Sequence, residues 1–285
     1  MLDPSDIQLD RSSSNGELIT RRSYGPRIAA VAVVVMGIAV IGYVLLRRAQ
    51  TPAPAVRVET EQAVAARPET KSVAVPGLGI PIGPLDQTDG IVRTLVGQLS
   101  SHPTIAAWLA TDQLVRHFTL ALVNIGDGDT PYKPLRPIAP RQPFAARSGP
   151  SGLAITPESY RRYDPYADAF AALDARGAAQ VYATLKPALQ EAYDELGRPA
   201  GTVDAAMESA IVQLLKTPVV GENVAMEQKA VVYRFADPNL EALPAAQRQL
   251  LRMGPRNVKI VQAKLREIAP LIGIPPERLP PPAAR

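Results

Sequence analysis

The feature that most constrains this chain is the run IAAVAVVVMGIAVIGYVLL at residues 28–46, which carries no charged side chain and lies between Arg27 and the pair Arg47-Arg48. At about 1.5 Å per helical residue it reaches roughly 28 Å, close to the ~30 Å hydrocarbon core of a bilayer. Its Ile, Leu and Val side chains each favour insertion by about 0.3–0.6 kcal/mol, with no charge to oppose them. The run is expected to be one membrane-spanning helix. A cleaved secretory signal would start with its basic residues and carry only about 7–15 apolar ones. Here a polar segment comes first, so the run reads as an uncleaved signal anchor. Arg11, Arg21, Arg22 and Arg27 before it nearly balance Arg47, Arg48 and Arg57 after it. Orientation is therefore argued from size: the short polar segment stays inside, while a long C-terminal domain crosses largely regardless of its charge.

The span divides the chain. Residues 1–27 are polar, with the stretch Ser12-Ser13-Ser14-Asn15-Gly16, and read as a disordered tail. Residues 47–84 are rich in Pro, Ala, Val and Gly; proline fixes φ and removes donors, so an extended, disordered linker is expected there. Residues 85–274 form the globular domain, and the proline-rich residues 275–285 are expected to be a second disordered tail.

Within the domain the apolar spacing is helical almost throughout. Asp86-Gln87-Thr88-Asp89 precedes Ile91, Val92, Leu95 and Val96, Pro103 opens a short helix through Trp108, and Thr111-Asp112 precedes Leu114, Val115, Phe118 and Leu122. The prolines from Pro131 to Pro143 exclude helix and central strand. Thr156-Pro157 and Asp164-Pro165 start two further helices, a long one runs over about 175–196 with a kink expected at Pro187, and Thr202 caps the next. Two helices follow Asp237-Pro238, over 244–253 and 255–272. Short strands are expected at 144–147, 153–155, 219–225 and 229–235. The fold class is mainly α, one transmembrane helix and a linker preceding a helical domain with minor β-hairpins.

Charge and composition exclude several functions. Residues 86–274 hold 20 Lys+Arg and 19 Asp+Glu, a net of +1, so the domain is not a general nucleic-acid binder. There is no cysteine, hence no disulfide framework or thiolate metal site, and the two histidines, His102 and His117, cannot make a metal centre alone. No G-x-S-x-G, S-x-x-K or P-loop occurs, and the acids fall at caps or on helix faces. We therefore assign no catalytic residue, cofactor or metal. The cluster Tyr160, Arg161, Arg162, Tyr163 and Tyr166 suits stacking on a sugar or peptide, but its helical spacing favours packing. One segment is lopsided: residues 242–266 carry Arg248, Arg252, Arg256, Lys259, Lys264 and Arg266 and no acid. Met253-Gly254-Pro255 joins two helices there, placing Arg256 and Asn257 at a helix N-terminus, where free N–H groups favour an anion. Arg248, Arg252, Arg256, Asn257 and Lys259 are the candidate anion- or partner-binding residues. Arg256, Lys259, Ala263 and Arg266 opposite Val258, Val261, Leu265 and Ile268 also describe an ordinary solvated face.

The blocks LDQTDGIVRTLVGQLSSHPTIAAWLATDQLVRHFTLALVNIGDG, ITPESYRRYD, LKPALQEAYDELGRP, YRFADPNLEAL and QLLRMGPRNVKIVQAKLREIA, in this order, resemble a bacterial single-pass membrane family known only as a domain of unknown function, number three thousand and fourteen in its series. The resemblance covers residues 85–274 and implies an envelope setting, with no catalytic residues to transfer. Together these readings give an inner-membrane protein with a periplasmic domain. Besides the lipid around residues 28–46, its expected partner is an envelope protein or an anionic polymer. The alternatives are an envelope enzyme acting on wall material and a cytosol-facing anion or nucleic-acid binder.

Overall fold

The apolar stripes read from the sequence meet around one central helix. The computed structural model describes residues 74–99, 102–149, 152–198, 201–229 and 232–282. The expected N-terminal tail, membrane span and most of the linker lie outside the described residues. Among the described residues no helix is long and apolar enough to cross a membrane. The described residues are mainly helical with one small sheet. The helices are α1 (Asp89–Gly97), α2 (Pro103–Leu109), α3 (Leu114–Gly126), α4 (Tyr132–Leu135), α5 (Pro157–Arg161), α6 (Asp164–Ala171), α7 (Ala175–Asp194), α8 (Val203–Leu215), α9 (Pro238–Glu241), α10 (Ala245–Leu251) and α11 (Pro255–Ile268).

Helix α3 is the hub. Leu114, Leu122 and Ile125 are fully buried against Met207, Ile211 and Leu214 of α8, and α7 packs beside them. Helix α11 lies across α6, α7 and α8 with Val258, Val261, Leu265 and Ile268 inward, the stripe its spacing predicts. Thr156 and Thr202 accept from the backbone N–H three residues on, as expected of caps. The start of α3 departs from expectation. Gln113, at φ 57°, precedes the helix, and the carboxylate of Asp89 on α1 accepts from the N–H groups of Gln113 and Leu114, both at 2.8 Å. The residue placed by sequence at the start of its own helix thus caps a neighbour. Helix α7 runs through Pro187 without a break, with the ring on its exposed side.

Strands β1 (Ala146–Gly149), β2 (Gly152–Ile155), β3 (Ala225–Lys229) and β4 (Val232–Phe235) form one antiparallel sheet in that order. The two hairpins are not separate, because Leu153 pairs with Met226 and Ala154 with Ala225. The strand expected over 219–225 begins only at Ala225, since Val219 and Val220 pack into the cores instead. Nor does the proline stretch exclude helix. Pro134 sits in the first turn of α4 and Pro137 near the start of the 3-10 turn Arg136–Ile138, positions whose N–H would bond to no earlier carbonyl.

Two segments expected to be disordered are docked where described. Residues 74–84 run extended, but the Val75 N–H donates to Leu271 O and the Leu78 N–H to Thr184 Oγ1, both at 2.8 Å. Gly77 passes so close to α7 that a Cβ there would lie 3.0 Å from the Thr184 nitrogen. The prolines keep this strap extended while Val75, Leu78 and Ile82 find apolar cover. At the other terminus Ile274 is buried, Leu279 packs on the core, and Arg278 bonds to Glu208 at 2.8 Å. Replacing Asp89 by Ala should cost about 1–2 kcal/mol, the usual worth of a cap, whereas Asp112→Ala should stay within ~0.5 kcal/mol. Urea denaturation followed by the fluorescence of Trp108, the single tryptophan, measures both.

Candidate functional site

The basic segment turns a corner at Gly254, and that corner is built by contact with α5. Gly254 has φ 89°, and a Cβ there would lie 2.7 Å from Tyr160 Cγ, so both conformation and space demand glycine. Pro255 then opens α11 without losing a bonded N–H. Asn257, only 1 % exposed, turns inward. Its Nδ2 donates to Met253 O and Asp164 Oδ1, both at 2.8 Å, and to Tyr160 O at 3.4 Å. Arg256 donates to Asp168 at 2.6 Å and to Asn257 Oδ1 at 3.0 Å, and lies 3.7 Å from Asp164. Its pKa is raised, chiefly by the hydrogen bond to Asp168. The start of α11 is thereby tied to Asp164 and Asp168, one turn apart on α6. Asp164 makes no side-chain cap of its own helix.

An open cleft of about 160 Å³ lies at this corner, lined among others by Tyr160, Arg161, Asp164, Glu222, Gly254 and Asn257. Tyr160 closes one side, its hydroxyl donating to Glu222 O at 3.0 Å, and burial pushes its pKa up to about 12. The cleft thus presents cations and carboxylates together.

The five candidate residues do not form one patch. Arg256 and Asn257 face α6, as described. Arg248 donates to Glu241 O at 2.5 Å and to its carboxylate at 3.2 Å, closing the α9–α10 turn. Arg252 points toward the sheet, donating to Tyr233 O at 3.0 Å with its guanidinium 5.4 Å from the Phe235 ring centre. Lys259 is exposed on α11. Lys264, one of the cations counted in the lopsided segment, is buried and donates to Leu173 O at 2.8 Å.

Residues read as packing deserve equal weight. Tyr163 is fully buried, accepts from Gln249 Nε2 at 3.3 Å, and has its pKa pushed up to about 12 by burial. Arg162, beside it, is 9 % exposed and donates to Ser159 O and Gln142 O, both at 2.9 Å. The tyrosine spacing marked this cluster as core; nothing in the sequence marked Arg162 as buried. Among the described residues no group of three or more His, Cys, Asp or Glu is placed to hold a metal ion.

Asn257→Leu strands the Asp164 carboxylate and two carbonyls, and should cost about 2–3 kcal/mol. Gly254→Ala, which drives a methyl into Tyr160 at positive φ, should cost at least about 2 kcal/mol. Chemical denaturation of both variants against the parent chain measures the two losses; a loss below ~0.5 kcal/mol for either would contradict the corner as described.

Comparison with known proteins adds a family. A family model described as "Protein of unknown function (DUF3014)" matches residues 114–269, from the first residue of α3 to just past the end of α11. The match contains the hub helix, the whole sheet and the corner, and leaves the strap, α1 and α2 outside. No curated protein and no solved structure matches the chain. Matched over more than half its length, the chain belongs to the DUF3014 family of proteins of unknown function.

Proposed function

We propose that this chain is a single-pass inner-membrane protein of the bacterial envelope, with residues 28–46 in the bilayer and the helical domain in the periplasm, and that the domain binds or scaffolds another macromolecule rather than catalysing a reaction. The observation that carries the reading is the charge-free run at 28–46, whose length suits a bilayer and whose composition suits little else. The strap fits it. Chain coming from the membrane meets the body where Val75 bonds to Leu271, at the C-terminal end of α11. From there α11 leads about 21 Å to the Gly254 corner and the sheet, which stand at the far end, open to a partner.

A second reading, an enzyme acting on wall material, draws on the two carboxyls of the cleft, Asp164 and Glu222. Against it, the cleft is smaller than the roughly 300–1,000 Å³ usual for small-molecule sites. Asp164 is also already engaged by Asn257 and Arg256. If it were such an enzyme, Asp164→Asn with Glu222→Gln would abolish release of soluble wall fragments; the binding reading expects no such release from the parent chain.

The membrane reading is tested by fractionation and topology. The full chain should stay with membranes through an alkaline carbonate wash and leave them in detergent, and deletion of residues 28–46 should make it soluble. Alkaline phosphatase fused after Arg285 should be active. An inactive fusion beside an active cytosolic reporter at the same position would reverse the orientation and favour the cytosol-facing binder.

A further inference from the structure

The strap at residues 74–84 is held to the body by a narrow margin. It carries no charged side chain, and of its eleven residues only Val75 is buried, with Leu78 and Ile82 half-buried and the rest exposed. Among the described residues two hydrogen bonds tie it to the body, from the Val75 N–H to Leu271 O and from the Leu78 N–H to Thr184 Oγ1, both at 2.8 Å. Its middle lies flush on α7, where a Cβ on Gly77 would meet the Thr184 nitrogen at 3.0 Å. Against these contacts stands the entropy of ordering eleven residues, three of them glycine, which Pro76, Pro81 and Pro84 reduce by stiffening the released chain. So few contacts favour the seated state only weakly.

Just beyond the strap the chain is fastened. Leu85 and Thr88 are buried, and Thr88 Oγ1 donates to Leu85 O at 2.7 Å. Arg116 of α3 pairs with Asp86 at 2.7 Å and with Glu195, next to the end of α7, at 2.5 Å. Between the two regions Gly83 and Pro84 are exposed, and a Cβ on Gly83 would meet nothing within 4 Å. A strap that peels from α7 therefore stops at Leu85, with Gly83 as its hinge. In chain order the strap lies between the apolar run at 28–46 and the body, so a pull between that run and anything bound to the body is borne at Val75 before it reaches a helix.

We propose that the strap is a releasable latch that sets the reach of the domain. Seated, the body hangs from Val75; released, it hangs from Leu85, and the chain between these two residues adds at most about 35 Å to the tether. Tension between the anchor and a bound partner drives the release, because only the released state gains that length. The change of reach rests on the membrane reading above, whereas the latch is a property of the domain and holds in either topology.

The test uses the full chain in detergent and the exchange of the Val75 and Leu78 amides, the two strap donors. Both should exchange through one shared opening, at least about a hundredfold faster than the amides of α3. Thr184→Val removes the acceptor of Leu78, and Gly77→Ala pushes a methyl against the α7 backbone. Each should speed exchange at Val75, whose own acceptor is intact, at least about tenfold and leave α3 and α8 unchanged. The chain has no cysteine, so spin labels can be placed at Ala74→Cys and Lys259→Cys alone. Their separation should be narrowly distributed in the parent and spread to longer distances when Gly77→Ala is added. Strap amides as slow as those of α3, a Val75 amide indifferent to Thr184→Val, or a label separation indifferent to Gly77→Ala would overturn the latch. A chain that stays with membranes through the carbonate wash yet gives any of these results loses the latch and keeps the anchor.

Discussion

The close approach of α3 to α8 is the contact on which the rest of the domain is assembled. Gly126 permits it: a Cβ there would lie 3.2 Å from Ser209 Cβ and 3.4 Å from Ala206 O. With Ala121 on one helix and Ala206 and Ala210 on the other, the backbones come near enough for the large side chains to interdigitate. Each such side chain contributes about 1.5–3 kcal/mol when fully buried, so the stability of the domain is concentrated here. Helices α7 and α11 close the remaining faces, and Asp89 of α1 fastens the open N-terminus of α3 from outside.

The sheet belongs to a second and much smaller cluster, formed by Ile155, Tyr160, Val224, Met226, Phe235 and Leu251. Its attachment runs through few residues, with Tyr160 packed on Gly254 and bonded to Glu222 O. The Gly254 corner lies where this cluster meets the helices. A region held by few apolar contacts opens more easily than the helical core. The strap reaches the body at the other end of α11, where the Val75 N–H donates to Leu271 O.

What the sequence made legible was local. Helix starts marked by Thr156-Pro157 and Thr202, the inward stripe of α11 and the burial of Tyr160 and Tyr163 depend on neighbours within a few residues, and spacing reports those. Three features depend on distant partners and were not readable. Asp89 looked like part of its own helix start but caps α3, because the geometry of α1 against α3 is tertiary. The two hairpins looked independent, because nothing in the alternation of either one specifies Leu153 opposite Met226. The basic run read as either an anion-binding corner or a solvated face, because the carboxylates that pair with Arg256 come from Asp164 and Asp168, some ninety residues earlier. Arg162 was hidden for the converse reason: an arginine beside tyrosines is ordinary on a surface, and only the fold buries it.

The division into a stable helical body and a less stable sheet end is tested most directly by native-state hydrogen exchange, read residue by residue. The account predicts that amides of α3 and α8 exchange last, through global unfolding. Those of β1–β4 and of residues 139–145 should exchange through smaller openings at least about a hundredfold faster. Sheet amides as slow as those of α3 would contradict it, since the two clusters would then unfold as one and the sheet end would have no independent opening.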